Sequence, residues 1–201
     1  MDQHNNDRSG VSATAPYYNS YKQALSCVDE QRYNEALEHF DSCVAIERRN
    51  ALLLYGRAVT NLALGAYRQA CCDLLKTLAL DKAQPEAWKH LAYVQFMLGK
   101  DEPAEKTVST AIERFPDYVP LYGVLADIYL DLGEFDKAHE TIEKALALEP
   151  DNAEAHSKLA MYYVARGDMK GLQQEYYILQ QLDADLAEQL KTLFFDNDEH
   201  F

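Results

Sequence analysis

His39 and Cys43 stand four residues apart, a spacing that puts an imidazole and a thiol on one side of a helix where both could ligate a metal. No third ligand accompanies them, and Cys43 falls at a small packing position. Cys71 and Cys72 are adjacent in sequence, which makes them poor partners for an ordinary disulfide. With Cys27 they form neither a disulfide framework nor a zinc ribbon. The four thiols read as reduced small hydrophobes, as in a cytoplasmic protein. His90 and His139 are isolated, and carboxylates such as Glu140, four residues from Lys144, belong to polar helix faces. The chain has no glycine-rich phosphate loop, no Ser-His-Asp arrangement and no HExxH. The residue types therefore point to no catalytic group, no metal and no cofactor, and the expected class is not an enzyme.

The elements that hold these residues are set by a repeat. Gly65, Gly99, Gly133 and Gly167 are spaced 34 residues apart. Ala24, Ala58, Ala92, Ala126 and Ala160 keep the same step, as do Ala36, Ala70, Ala104 and Ala138. A fixed period of this length marks a stacked array. Within a period the apolar spacing is helical. Leu121, Tyr122, Leu125, Ala126, Ile128, Tyr129 and Leu132 make one stripe, and Gly133 offers a left-handed stop. A second helix carries Phe135, Ala138, Ile142, Ala145 and Leu148. Pro150 ends it, and Asp151 or Asn152 can cap the next helix. Pro16 suits the first turn of the first helix.

Each period is thus helix, turn, helix, turn. The expected fold is an all-α, right-handed solenoid of about five helical hairpins, at 17–50, 51–84, 85–118, 119–152 and 153–186. The amphipathic stretch 183–195, with Leu186, Ala187, Leu190, Leu193 and Phe194 on one face, would cap the last hairpin. Residues 1–15 are polar and read as a disordered tail ahead of the solenoid at 16–195, and 196–201 as a frayed acidic end. The N-terminus lacks the apolar core of a secretory signal, and no apolar run is long enough to span a membrane. The chain is 48% hydrophobic and 26% charged, the composition of a folded protein. A formal net charge of -14 repels phosphate backbones and anionic lipid, so neither nucleic acid nor membrane is expected as partner.

The repeat resembles the tetratricopeptide repeat, whose pattern is W-x2-L-G-x2-Y…A-x3-F…P. The third period reads Trp88, Leu91, Ala92, Gln95, Ala104, Val108, Ala111, Pro116, and the fourth Tyr122, Leu125, Ala126, Tyr129, Ala138, Ile142, Ala145, Pro150. The second reads Leu54, Arg57, Ala58, Asn61, Tyr67, Ala70, Leu74, with Lys82 in place of proline. The first gives Ala24, Cys27, Tyr33, Ala36, Phe40 and Cys43. The fifth gives His156, Leu159, Ala160, Tyr163 and Gly167, with Leu172 where alanine is expected.

The resemblance implies a protein–protein interaction module, a scaffold, adaptor or chaperone-like protein, whose first helices line a concave peptide groove. Carried onto this chain, the groove residues include Tyr21, Leu25, Tyr55, Val59, Leu62, Lys89, Tyr93, Phe96 and Met97, followed by the carboxylates Asp127 and Asp131. Apolar anchors bordered by acid would suit a peptide with apolar and basic residues. The alternative is a homo-oligomer in which a second copy fills the groove or the open end. The carboxylate clamp of chaperone-binding relatives is not expected, because Tyr21, Leu25, Gly56, Glu86 and His90 stand at its places and Glu86 would repel the anion.

Overall fold

The computed structural model describes Ser12 and residues 14–195. The acidic end and all but Ser12, Thr14 and Ala15 of the polar tail lie outside the described residues. These residues form eleven α-helices and no strand: α1 (Tyr18–Asp29), α2 (Tyr33–Ile46), α3 (Ala51–Ala63), α4 (Tyr67–Leu80), α5 (Pro85–Met97), α6 (Asp101–Arg114), α7 (Pro120–Asp131), α8 (Phe135–Leu148), α9 (Ala153–Arg166), α10 (Met169–Leu182) and α11 (Ala184–Phe194). Helices neighbouring in sequence pack on one another within each of two units, as in an all-α solenoid. The chain forms two compact units that divide within α6, one up to Ala104 and the other from Glu105.

Small side chains explain why the hairpins close. Every alanine of both 34-residue ladders is fully buried. A methyl group lets two helix backbones approach where a longer side chain would hold them apart. The turns follow from backbone sterics. Gly65, Gly99, Gly133 and Gly167 all take φ between +66° and +72°, a conformation glycine adopts without penalty. In the first hairpin the equivalent position is Gln31, at φ +59°. Its side chain crowds its own backbone there, a cost glycine would avoid.

In the first unit α1 packs on α2, α2 on α3, α3 on α4 and α4 on α5, and α3 also touches α5. Phe40 of α2 lies against the backbone of α3 at Gly56. A β-carbon at Gly56 would come within 2.5 Å of the ring. Asn50 caps α3, its side chain accepting from the amides of Leu52 and Leu53. Pro16 does not open α1. It lies in a turn ahead of the helix, whose N-cap is Tyr17 and whose first residue is Tyr18. The turn is closed by the Tyr18 amide donating to the Ala15 carbonyl at 2.9 Å.

In the second unit α7 packs on α8, α8 on α9, α9 on α10 and α10 on α11, and α7 touches α9. The departure at Leu172 is absorbed next door. Leu172 is fully buried, and the small residue is Gly171, where a β-carbon would meet the Tyr163 ring at 2.5 Å. The hairpin thus keeps its close approach with the small residue shifted by one place. His156 ties α9 to α10: its Nδ1 is 2.7 Å from Glu175, and its Nε2 faces the Pro150 carbonyl at 2.9 Å. Ala187 and Leu190 of α11 join Leu172 and Leu179 of α10 in one apolar cluster, so α11 covers the last hairpin.

Two substitutions test this packing. Gly56→Ala gains about 1 kcal/mol of helix propensity but forces a β-carbon into a buried ring, which costs about 1–3 kcal/mol. Its urea midpoint should fall, and a rise would show that Phe40 is not against Gly56. Gln31→Gly should raise the midpoint, by up to about 1 kcal/mol, by relieving the left-handed backbone.

Candidate interaction face

The first helices carry the residues picked from the sequence. α3 presents Tyr55, Val59 and Leu62, and α5 presents Lys89, Tyr93, Phe96 and Met97. The two helices touch. Tyr55 and Leu62 are half-buried and pack against the core made by Ala58, Leu74, Leu78, Leu91 and Val94. Val59, Lys89 and Phe96 are also half-buried. Tyr93 and Met97 stand out further, at 36% and 41% exposure. The face therefore has an anchored apolar base with an aromatic ring and a thioether projecting from it, which is the composition of an interface core.

Leu25 of α1 is half-buried against the first hairpin's core. Tyr21 is not part of any surface. It is 4% exposed and meets Phe40 edge-on, with ring centroids 6.2 Å apart. Burial raises the Tyr21 hydroxyl pKa above its ordinary value, with further contributions from Cys43 and Tyr17. The physical reason for this correction is that Tyr21 lies one turn before the fully buried Ala24 and fills the space beside it.

Asp127 and Asp131 are in the second unit. Asp127 is engaged in an ion pair with Lys158 of α9 at 2.8 Å, and Asp131 at the end of α7 is exposed. On this unit's first helices the acid is therefore partly neutralised by a lysine that α9 supplies.

The structure adds His90 to the face. Its ring stacks on Tyr55, centroids 5.8 Å apart and 20° from parallel, and its Nδ1 lies 3.2 Å from the Tyr55 hydroxyl. Desolvation, followed by the charge of Lys89, pushes the His90 pKa down to about 4. The ring is therefore neutral at pH 7, and with its proton on Nε2 it accepts from the Tyr55 hydroxyl through Nδ1. The sequence signal was a separation of one period plus one residue, which places Tyr55 and His90 on adjoining first helices.

Among the described residues no group of three or more His, Cys, Asp or Glu could hold a metal, and no helix is long and apolar enough to cross a membrane. Cys43 is fully buried, its thiol donating to the Tyr17 carbonyl at 3.7 Å, and burial pushes its pKa up. Its partner is a backbone oxygen, and His39 takes no part.

The tetratricopeptide-repeat family model matches residues 108–162, which run from the second helix of one hairpin into the first helix of the hairpin after next. Residues 108–162 thus carry the tetratricopeptide repeat. The fold of the chain is shared with TTC0263, a tetratricopeptide-repeat protein of Thermus thermophilus, at 26% identity and a TM-score of 0.75 over 88% of this chain and 97% of that one. It is also similar to MamA from Desulfovibrio magneticus, at 20% identity and a TM-score of 0.70 over 86% and 98%. YrrB matches at 15% identity and a TM-score of 0.61 over 90% and 100%. No curated protein matches the chain. These likenesses support a protein–protein interaction module as the general class.

The buried histidine gives the stability of this repeat a pH dependence. Unfolded His90 protonates below its ordinary pKa of 6.5, whereas the folded ring resists protonation until about 4. Between these values the unfolded state binds more protons, so stability falls as pH falls through that window. The contribution should be on the order of 1–3 kcal/mol. Urea unfolding of the parent and of His90→Gln at pH 7 and pH 4.5 isolates it. The stability lost on acidification should be smaller in the variant, and equal losses would mean that the ring is solvated.

Proposed function

We propose that the protein is a scaffold or adaptor that holds a peptide segment of a partner protein against the face formed by α3 and α5. The observation that carries this reading is the projection of Tyr93 and Met97 from a base of Tyr55, Val59, Leu62 and Phe96. Such an arrangement suits one or two apolar anchors of an extended segment or amphipathic helix. Lys89 and Glu86 border the face, and the overall charge of -14 favours a segment that also carries basic residues. Leu25 adds a further half-buried apolar side chain on α1 of the same unit. YrrB, described as a tetratricopeptide-repeat protein with an unusual peptide-binding site, gives a precedent for peptide capture on this fold.

The variants to compare are Tyr93→Ala with Met97→Ala, whose side chains project and contribute least to the core, and Glu86→Gln on α5. A partner recovered by affinity capture and identified by mass spectrometry should bind the double variant at least about tenfold more weakly, while Glu86→Gln has a smaller, salt-sensitive effect. Full affinity in the double variant would place binding elsewhere. Light scattering on the isolated protein distinguishes capture of a partner from occupation of the face by a second copy.

A further inference from the structure

A second surface of the first unit has a different chemistry. Arg57 and Asn61 stand on α3 where later repeats carry Leu91 with Gln95, Leu125 with Tyr129, and Leu159 with Tyr163. Asn61 is shorter than the Gln95, Tyr129 and Tyr163 that take its place later, and Arg57 is drawn onto carboxylates of α2 and α4. A hollow of about 520 Å³ remains over α2 and α4, within the range of small-ligand sites. Arg57 and Asn61 form its floor, and Arg68, Gln69 and Lys76 of α4 line it with them. None of Tyr55, Tyr93 and Met97 contributes to it.

The charges in the hollow are arranged unequally. Arg57 donates through Nε and Nη2 to the buried Asp73 at 2.7 and 2.9 Å, and through Nη1 to Asp41 at 2.7 Å. One guanidinium thus hydrogen-bonds both carboxylates of the hollow, leaving one negative charge in excess among these three groups. Arg68 and Lys76 add two further cations, the lysine approaching Asp73 only to 3.5 Å. The lining therefore has a net positive charge in a chain whose formal net charge is -14. Asn61 is 4% exposed overall and lines the hollow from α3, where its carboxamide is open to solvent and can donate to a bound group.

We infer that this hollow binds a carboxylate side chain of an acidic peptide, with Arg68 and Lys76 supplying charge and the Asn61 amide donating from the floor. Arg57 stays on Asp73 and Asp41 and holds α2, α3 and α4 in place around the hollow. The occupant differs in charge from the segment proposed for the α3 and α5 face, so the two surfaces would take different ligands.

The probe is an acetylated, amidated hexapeptide of alternating glycine and glutamate, titrated calorimetrically into the full chain at low ionic strength, with its glutamine counterpart as control. The glutamate peptide should bind and the glutamine peptide should not. Arg68→Ala with Lys76→Ala removes two exposed side chains and should weaken binding at least about tenfold. Asn61→Leu, which removes the amide from the lining, should weaken it several-fold, and Asn61→Ala serves if the leucine variant does not fold by circular dichroism. Tyr93→Ala with Met97→Ala should bind the probe as the parent does, which separates this site from the α3 and α5 face. Three results would overturn the inference: no binding by the parent, an equal loss in the charge-matched control Lys22→Ala with Lys106→Ala, or inorganic phosphate binding in the hollow while the peptide does not.

Discussion

Close approach of helix backbones through side chains no larger than a methyl group is the constraint on which this solenoid rests. Ala24 and Ala36 allow the first hairpin to close, and the same pair of positions recurs through Ala126 and Ala138. Buried surface then forms in the same register each time, because a period fixes which residues face inward. Exceptions follow the same rule. Where Leu172 takes the alanine place, Gly171 supplies the room under Tyr163. Gly56 does so for Phe40, a contact that no ladder of alanines provides.

Once the backbones are fixed, the two kinds of helix offer different surfaces. The first helices α3 and α5 touch, and Tyr55 of one stacks on His90 of the other. Burial holds that histidine neutral, and a neutral ring can lie against an aromatic without bringing charge to the interface. The hollow over α2 and α4 carries charged side chains. The guanidinium of Arg57 spans three helices by pairing with carboxylates on both sides of its own. Its burial beside Asp73 makes the pair a fixed structural element, because removing either partner would leave a buried charge unmatched.

Much of this could be read from residue spacing. The glycine ladder marked the hairpin turns, the alanine ladders marked the close contacts, and the amphipathic stretch after Asp183 marked a helix that covers the last hairpin. These features repeat, and repetition turns weak local preferences into a strong signal. Features that depend on one residue were less legible. Gln31 occupies a left-handed turn without being glycine, and Pro16 precedes its helix. Tyr21 shares its helix with the outward Leu25 yet turns inward, because Phe40 provides an edge to pack against.

The sequence alone determined the period, the helical hairpins and the residues small enough to close them, since these depend on local sterics and on contacts that repeat every 34 residues. Only the tertiary structure decided which polar groups meet. Asp127 finds Lys158 from 31 residues away, Tyr55 finds His90 from 35, and Asp41 and Asp73 converge on Arg57. Such pairings depend on the direction and reach of individual side chains across helices, and a one-dimensional period does not encode those directions.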